Sequence, residues 1–294
     1  MRIPFLDAFP QRVVVMNATG RYGRLQVQGM RAAGTRIVAG IAPGRGGTEV
    51  DGLPMLDDLR DLDAPADAAV LYTPAEGVLE AVRAAAAARI GLIVAAAEYV
   101  PTQDALKAVH VARDAGSWLV GPNTLGLCVP GAGMLGSIAP EFCAQGDVTL
   151  LCRSGTLTLA LSRLLTEAGI GLRAAIHLGG DLVVGRNPHD YVDGLAADPG
   201  TRAVLYVGEL GGDREYALAT ALPRLGKRLV ALIVGRHAPA ETRMGHAGAL
   251  AGAARETAEA KLAALAAAGA VAVRSPEEAI AALRQGHSAR MPAA

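Results

Sequence analysis

Short aliphatic runs alternate with longer segments of helical periodicity along all 294 residues, and this alternation restricts the fold more than any other feature. A buried strand reads as a brief continuous apolar run, and a chain passing repeatedly from such a run to a helix builds a parallel sheet with crossover helices. Residues 13–16, 35–39, 68–71, 91–95 and 118–120 read as one set of strands. A second set lies at 148–152, 172–177, 203–207, 228–234 and 270–273, with helices at 157–168, 191–197, 213–222, 257–267 and 276–285. Between the sets, Pro122, Pro130, Gly131, Gly133 and Pro140 mark a loop-rich stretch and hence a boundary. The expected class is α/β: a Rossmann-like domain over 1–124, a connecting region over 125–146, a flavodoxin-like doubly wound domain over 147–286 and a tail over 287–294.

Composition refines this picture. Hydrophobic residues make up 51% of the chain and aromatic ones only 3%, so the core must be aliphatic, and Ala-rich runs at 84–88 and 263–268 suit helices packed closely on sheets. The formal net charge is zero, which leaves no global field to attract nucleic acid or anionic lipid. Cys128, Cys143 and Cys152 form no C-x-x-C pair, as expected in a reducing compartment, with the cytoplasm as default. The first eleven residues, with Pro4 and Pro10, lack the apolar stretch of a signal peptide, and no run is suited to crossing a bilayer.

Chemistry-bearing residues gather at strand ends. Asn17-Ala18-Thr19-Gly20-Arg21-Tyr22-Gly23 follows the first strand and opens a helix, where free N–H groups and a positive dipole end suit a phosphate. The spacing is not G-x-G-x-x-G, so an NAD site is disfavoured. Arg45, within Pro43-Gly44-Arg45-Gly46-Gly47, places a cation after the second strand; Tyr72-Thr73-Pro74 and Ala97-Glu98 end the third and fourth. In the second half, Ser154, Gly155 and Thr156 stand where a strand yields to a helix, and Glu209 follows another strand. His246, between Gly245 and Gly248, is framed so that an imidazole is presented rather than packed. Neutral imidazole is a competent nucleophile, and a carboxylate such as Glu209 could take its second N–H. Each feature also has a plainer reading: a tight turn, a solvated arginine, a helix cap, a loop glutamate, a surface histidine. No G-x-x-x-x-G-K-[ST] occurs and lysine is scarce, so a nucleoside triphosphate would have to be held by another polypeptide.

With these residues in view, the chain resembles the α subunit of succinyl-CoA synthetase (succinate–CoA ligase) across nearly all of 12–284. The resemblance rests on Pro43-Gly44-Arg45-Gly46-Gly47, Gly121-Pro122-Asn123, Arg153-Ser154-Gly155-Thr156-Leu157-Thr158, Gly179-Gly180-Asp181, Gly208-Glu209-Leu210-Gly211-Gly212 and Arg243-Met244-Gly245-His246-Ala247-Gly248-Ala249, in order. It implies that the first domain binds coenzyme A through Thr19, Gly20, Arg21, Tyr22, Arg45, Tyr72, Thr73, Pro74, Ala97, Glu98 and Asn123. It further implies that His246 is phosphorylated, that Ser154, Gly155 and Thr156 cradle the phosphohistidine, and that Glu209 orients the ring. The implied partner is an ATP-grasp β subunit holding ATP or GTP with magnesium, in an αβ or α2β2 assembly acting on a small carboxylate. Arg21-Tyr22 stands where the family has Ser-Gln, Arg45 where it has lysine, Thr124-Leu125 for Cys-Pro, Leu159 for tyrosine and Leu182-Val183-Val184 for Pro-Ile-Pro. These departures keep two alternatives open: a ligase for an acid other than succinate, and a coenzyme A-binding regulatory or structural paralogue without turnover.

Overall fold

Strands of Val, Ile, Leu and Ala form two sheets in a computed structural model that describes residues 2–236 and 253–285. The chain divides into two compact units, one built from Pro4–Ile138 with His177–Arg186, the other chiefly from Ala139–Ile176 and the described residues from Asn187 onward. No helix among the described residues is long and apolar enough to cross a membrane.

The first unit runs α1 (Pro4–Asp7), β1 (Val13–Met16), α2 (Arg21–Ala32), β2 (Ile37–Ile41), β3 (Glu49–Val50), β4 (Leu53–Leu56), β5 (Ala68–Leu71), α3 (Val78–Ala87), β6 (Leu92–Ala95), α4 (Thr102–Asp114) and β7 (Trp118–Val120). The sheet order is β3-β4-β2-β1-β5-β6-β7, with β3 alone antiparallel to its neighbour. Strand β1 lies between β2 and β5, Val14 facing Ala39 and Ala69, so the winding reverses there and opens a crevice at the strand ends. Every residue of β5, β6 and β7 is buried, which explains runs without polar alternation. Alanines 81 and 85 of α3 and 105, 108 and 112 of α4 pack into this core, where a small side chain brings the helix backbone close.

Several elements depart from the sequence expectation. Strand β4, absent from the expected strands, contains Pro54; as the penultimate strand of the sheet, paired on its outer side only with two-residue β3, it tolerates the missing donor. The stretch expected as loop holds an antiparallel hairpin, β8 (Gly126–Val129) and β9 (Gly133–Gly136). Its glycines hid it: Gly126, Gly133 and Gly136 all have positive φ. Non-local bonds hold it, with Thr35 Oγ1 donating to Met134 O at 2.6 Å and Tyr72 Oη to Gly136 O at 3.0 Å.

The second unit runs β10 (Gln145–Cys152), α5 (Gly155–Glu167), β11 (Leu172–His177), α6 (Val192–Ala197), β12 (Ala203–Glu209), α7 (Arg214–Ala221), β13 (Arg228–Val234), α8 (Ala258–Ala267), β14 (Val271–Val273) and α9 (Pro276–Gln285). Its strands follow the order β11-β10-β12-β13-β14, the flavodoxin arrangement, whose switch point lies between β10 and β12. These two are parallel, with Cys152 beside Val207. Strand β12 extends to Glu209 rather than stopping at residue 207, because Gly208 is a close-packed strand residue and not a turn: a Cβ there would come within 2.6 Å of Glu215 Oε1.

Candidate functional site

In the first unit, four strand ends meet at the β1/β5 crevice. Asn17 leaves β1 with φ of 59°, donates its main-chain N–H to Ile41 O at 2.9 Å, and donates Nδ2 to Tyr72 O at 3.0 Å. This draws the turn against both neighbouring strand ends. Gly23 is required beneath it, since a Cβ would lie 2.6 Å from Asn17 O. Gly20 caps α2 without any side-chain bond, so the first-turn N–H groups remain available to an anion. The loop after β2 is shaped by Asp57, whose Oδ1 accepts from Arg45 N at 2.9 Å and Gly46 N at 2.8 Å. Sequence reasoning missed Asp57 because it missed the strand that delivers it.

A cleft of about 460 Å³ is lined by Asn17, Thr19, Pro43, Arg45, Thr73 and Pro74 among others. Gly20, Arg21, Tyr22, Tyr72, Ala97, Glu98 and Asn123 stand outside that lining. Tyr22 sits edge-on to Tyr72 at 5.4 Å, its hydroxyl 2.9 Å from Ser137 Oγ. Burial pushes the Tyr72 phenol well above its ordinary value, so it remains a neutral donor. Asn123 donates its N–H to Ala97 O at 2.7 Å and its Nδ2 to Asp181 Oδ1 at 2.9 Å, which supplies the structural role that sequence did not reveal for Asp181. Glu98 is exposed. Thr73 Oγ1 is buried without a hydrogen-bond partner among the described residues.

In the second unit, the site lies at the β10/β12 switch point. Ser154 is the N-cap of α5, its Oγ accepting from Leu157 N at 3.3 Å, and Gly155 and Thr156 open the helix. Cys152 Sγ bonds Ser154 O at 3.2 Å, and burial pushes this thiol up to about 11. Glu209, 4% exposed, ends β12 with Oε1 2.9 Å from Nη1 of Arg153, which is itself 1% exposed. Around this pair, Lys261 meets Glu215 at 2.6 Å, Tyr206 Oη donates to Glu215 Oε1 at 2.7 Å, and Arg214 Nε donates to Asn187 Oδ1 at 2.7 Å. Burial, with the charge of Arg153, draws Arg214 down to about 10. Three cations against two carboxylates leave the cluster positive, an environment that favours an added anion.

Sequence reasoning assigned no role to Lys261, Glu215, Tyr206 or Arg214. A signal was present: Lys261 shares the buried face of α8 with Ala258, Leu262 and Leu265, and Glu215 that of α7 with Leu218, so each charge occupies an apolar position of its helix.

His246 lies outside the described residues, as do His237, His287 and the tail over 287–294. The described flanks of that stretch adjoin the Glu209 turn. Leu210 donates its N–H to Val234 O at 3.2 Å, Gly211 donates to Glu256 O at 2.8 Å, and Tyr216 Oη donates to Arg255 O at 2.5 Å.

Residues 10–99 match the CoA binding domain family, and 145–285 match the succinyl-CoA ligase like flavodoxin domain family. The chain is 39% identical to subunit alpha 2 of an ADP-forming succinate–CoA ligase of Archaeoglobus fulgidus, covering 91% of this chain and 94% of that one. It belongs to the succinate–CoA ligase α-subunit family. The chain is also 36% identical to a subunit of an ADP-forming sulfoacetate–CoA ligase of Bilophila wadsworthia, over 91% of this chain and 94% of that subunit. An ATP citrate lyase of Methanothrix soehngenii, solved with citrate and coenzyme A, superposes with a TM-score of 0.82 at 27% identity, over 95% of this α-subunit chain and 50% of the lyase chain. The chain is thus an α subunit of the acid–CoA ligase type.

Proposed function

We propose that this α subunit forms an acyl-CoA from a small carboxylate, coenzyme A and a nucleoside triphosphate, with His246 as the phosphoryl carrier. The observation that carries this reading is the conjunction, at one switch point, of a buried carboxylate, Glu209, and a helix start at Ser154, beside the flanks of the segment that bears His246. An imidazole nitrogen attacks the γ-phosphorus and the nucleoside diphosphate leaves. A carboxylate oxygen of the acid then attacks that phosphorus and frees the imidazole, and the coenzyme A thiolate attacks the acyl carbon as phosphate departs. Glu209 accepts the second ring N–H, which keeps the attacking nitrogen's lone pair available. The N–H groups of Gly155 and Thr156, with the α5 dipole and the neighbouring cations, stabilise the transferred anion.

Coenzyme A belongs in the first unit. The uncapped start of α2, the Arg45 guanidinium and the buried Thr73 hydroxyl, without a hydrogen-bond partner among the described residues, suit its phosphates and polar chain, with Thr19, Gly20, Arg21, Tyr22, Tyr72, Pro74, Ala97, Glu98 and Asn123 contributing around it. ATP or GTP with magnesium is assigned to an ATP-grasp β partner in an αβ or α2β2 complex, since this chain lacks a triphosphate loop. Leu159, where the family has tyrosine, favours an acid other than succinate.

The test is incubation of the assembled complex with γ-labelled nucleotide. The expected product is an acid-labile, base-stable phosphate on this chain that is absent from His246→Asn. An intact complex that takes no label rejects the reading.

A further inference from the structure

Beyond its share of the cluster's positive charge, Lys261 has no place in the chemistry above, yet its ammonium is completely buried on the apolar face of α8. Its Nζ donates to the main-chain oxygens of Glu209, at 2.9 Å, and of Gly211, and forms an ion pair with Glu215, 2.6 Å from Oε2. Of the chain's 28 basic residues only three are lysine. Here the compact ammonium is required, because a planar guanidinium fork cannot reach acceptors arranged around a single point. Glu215, also 0% exposed, is held in turn by the Tyr206 hydroxyl, and Gly208 gives its carboxylate room.

A buried ion pair is weak support for stability, since apolar residues of similar size often pack there at no loss. What this pair holds is therefore informative. Lys261 grips the backbone carbonyls on both sides of Leu210, at the point where β12 breaks into left-handed conformation at Gly211 and Gly212, with φ of 85° and 64°. Fixing those two carbonyls fixes the peptide planes that follow Glu209, while Arg153 fixes the far end of its side chain.

We propose that Lys261, with Glu215 as its counter-ion, is a positioning residue that sets the direction of the Glu209 carboxylate. This rests on the reading of Glu209 as the acceptor of the imidazole N–H. Misplacement of a reacting group by about 1 Å costs on the order of 10²-fold in rate, and that is the scale of effect expected.

The decisive variant is Lys261→Met with Glu215→Gln, prepared in the assembled complex. Methionine fills the lysine's volume without a donor, and glutamine keeps an acceptor for Tyr206. Single-turnover labelling from γ-labelled nucleotide should slow by one to two orders of magnitude, roughly as misplacement predicts, while coenzyme A affinity and the KM for the acid stay within about twofold. A merely structural role would lower the melting temperature or the active fraction and leave the rate per folded complex unchanged. Labelling within about threefold of the parent rate overturns the proposal. Should the double variant fail to assemble, Lys261→Arg keeps the charge and loses the three-point geometry; the same slowing is expected, and a parental rate overturns the proposal equally. A parent complex that takes no label rejects the phosphohistidine reading itself, whereas a labelled parent beside a fully active variant rejects only the role given to Lys261.

Discussion

Arg153 and Glu209 each depend on the other to be tolerated in the interior, with side-chain exposures of 1% and 6%. Removing one partner of such a pair strands a buried charge, so Arg153→Met should destabilise the chain by about 3–5 kcal/mol in urea unfolding, and adding Glu209→Gln should recover part of that loss. Equal destabilisation by the single and double variants would mean that the two groups are not coupled. The places of Ser154 at a helix start and Glu209 at a strand end were legible in the sequence, because polar residues at successive strand ends of a doubly wound sheet gather on one edge. Arg153, Glu215 and Lys261 were not legible as a cluster. A charged letter in a sequence does not disclose burial, and their partners are distant in the chain, Lys261 reaching back to Glu209 and Gly211.

Among the elements, the connection from α6 to β12 is pinned by a carboxylate. Asp198 Oδ2 accepts from the Thr201 hydroxyl at 2.6 Å and from Arg173 Nε at 3.2 Å, and Gly200 donates its N–H to Oδ1 at 3.3 Å. Burial raises the Asp198 carboxyl, but the Thr201 hydroxyl, Arg173 and the Gly200 N–H together outweigh it and hold the group below the ordinary aspartate value. A depressed carboxyl contributes stability that is complete above the unfolded-state value near pH 4 and is lost as pH falls through the lower folded-state value. Unfolding free energies measured downward from about pH 5 should therefore fall less steeply for Asp198→Asn than for the parent, and identical slopes would remove Asp198 from acid unfolding. Element identity was legible wherever a strand was an uninterrupted aliphatic run, as at β1, β5 and β13. It was not legible at β4, where Pro54 interrupts the run, or at the β8–β9 hairpin, whose glycines carry no strand signal and whose pairing is held by contacts from Thr35 and Tyr72.

For the whole molecule, a ligand bound only by the folded state adds stability by mass action. Coenzyme A at 100 times its dissociation constant should contribute about 2.7 kcal/mol to the unit that binds it, seen as an upward shift of a calorimetric transition. No shift at saturating concentration would reject the assignment of coenzyme A to this chain. The alternation of aliphatic runs with helical segments determined the α/β class by itself, because burial of a parallel strand on both faces demands continuous apolar sequence and its crossover demands a helix. The ordered glycine-framed motifs likewise carried the resemblance to the family, because their order and spacing are written in the sequence itself. Tertiary structure alone decided that Glu209 is a buried strand residue paired to Arg153, that Asp57 shapes the Arg45 turn, and that Lys261 reaches across to the Glu209 backbone. The reason is physical: burial and ion pairing depend on which elements pack together, and that is a property of the folded chain rather than of any stretch of it.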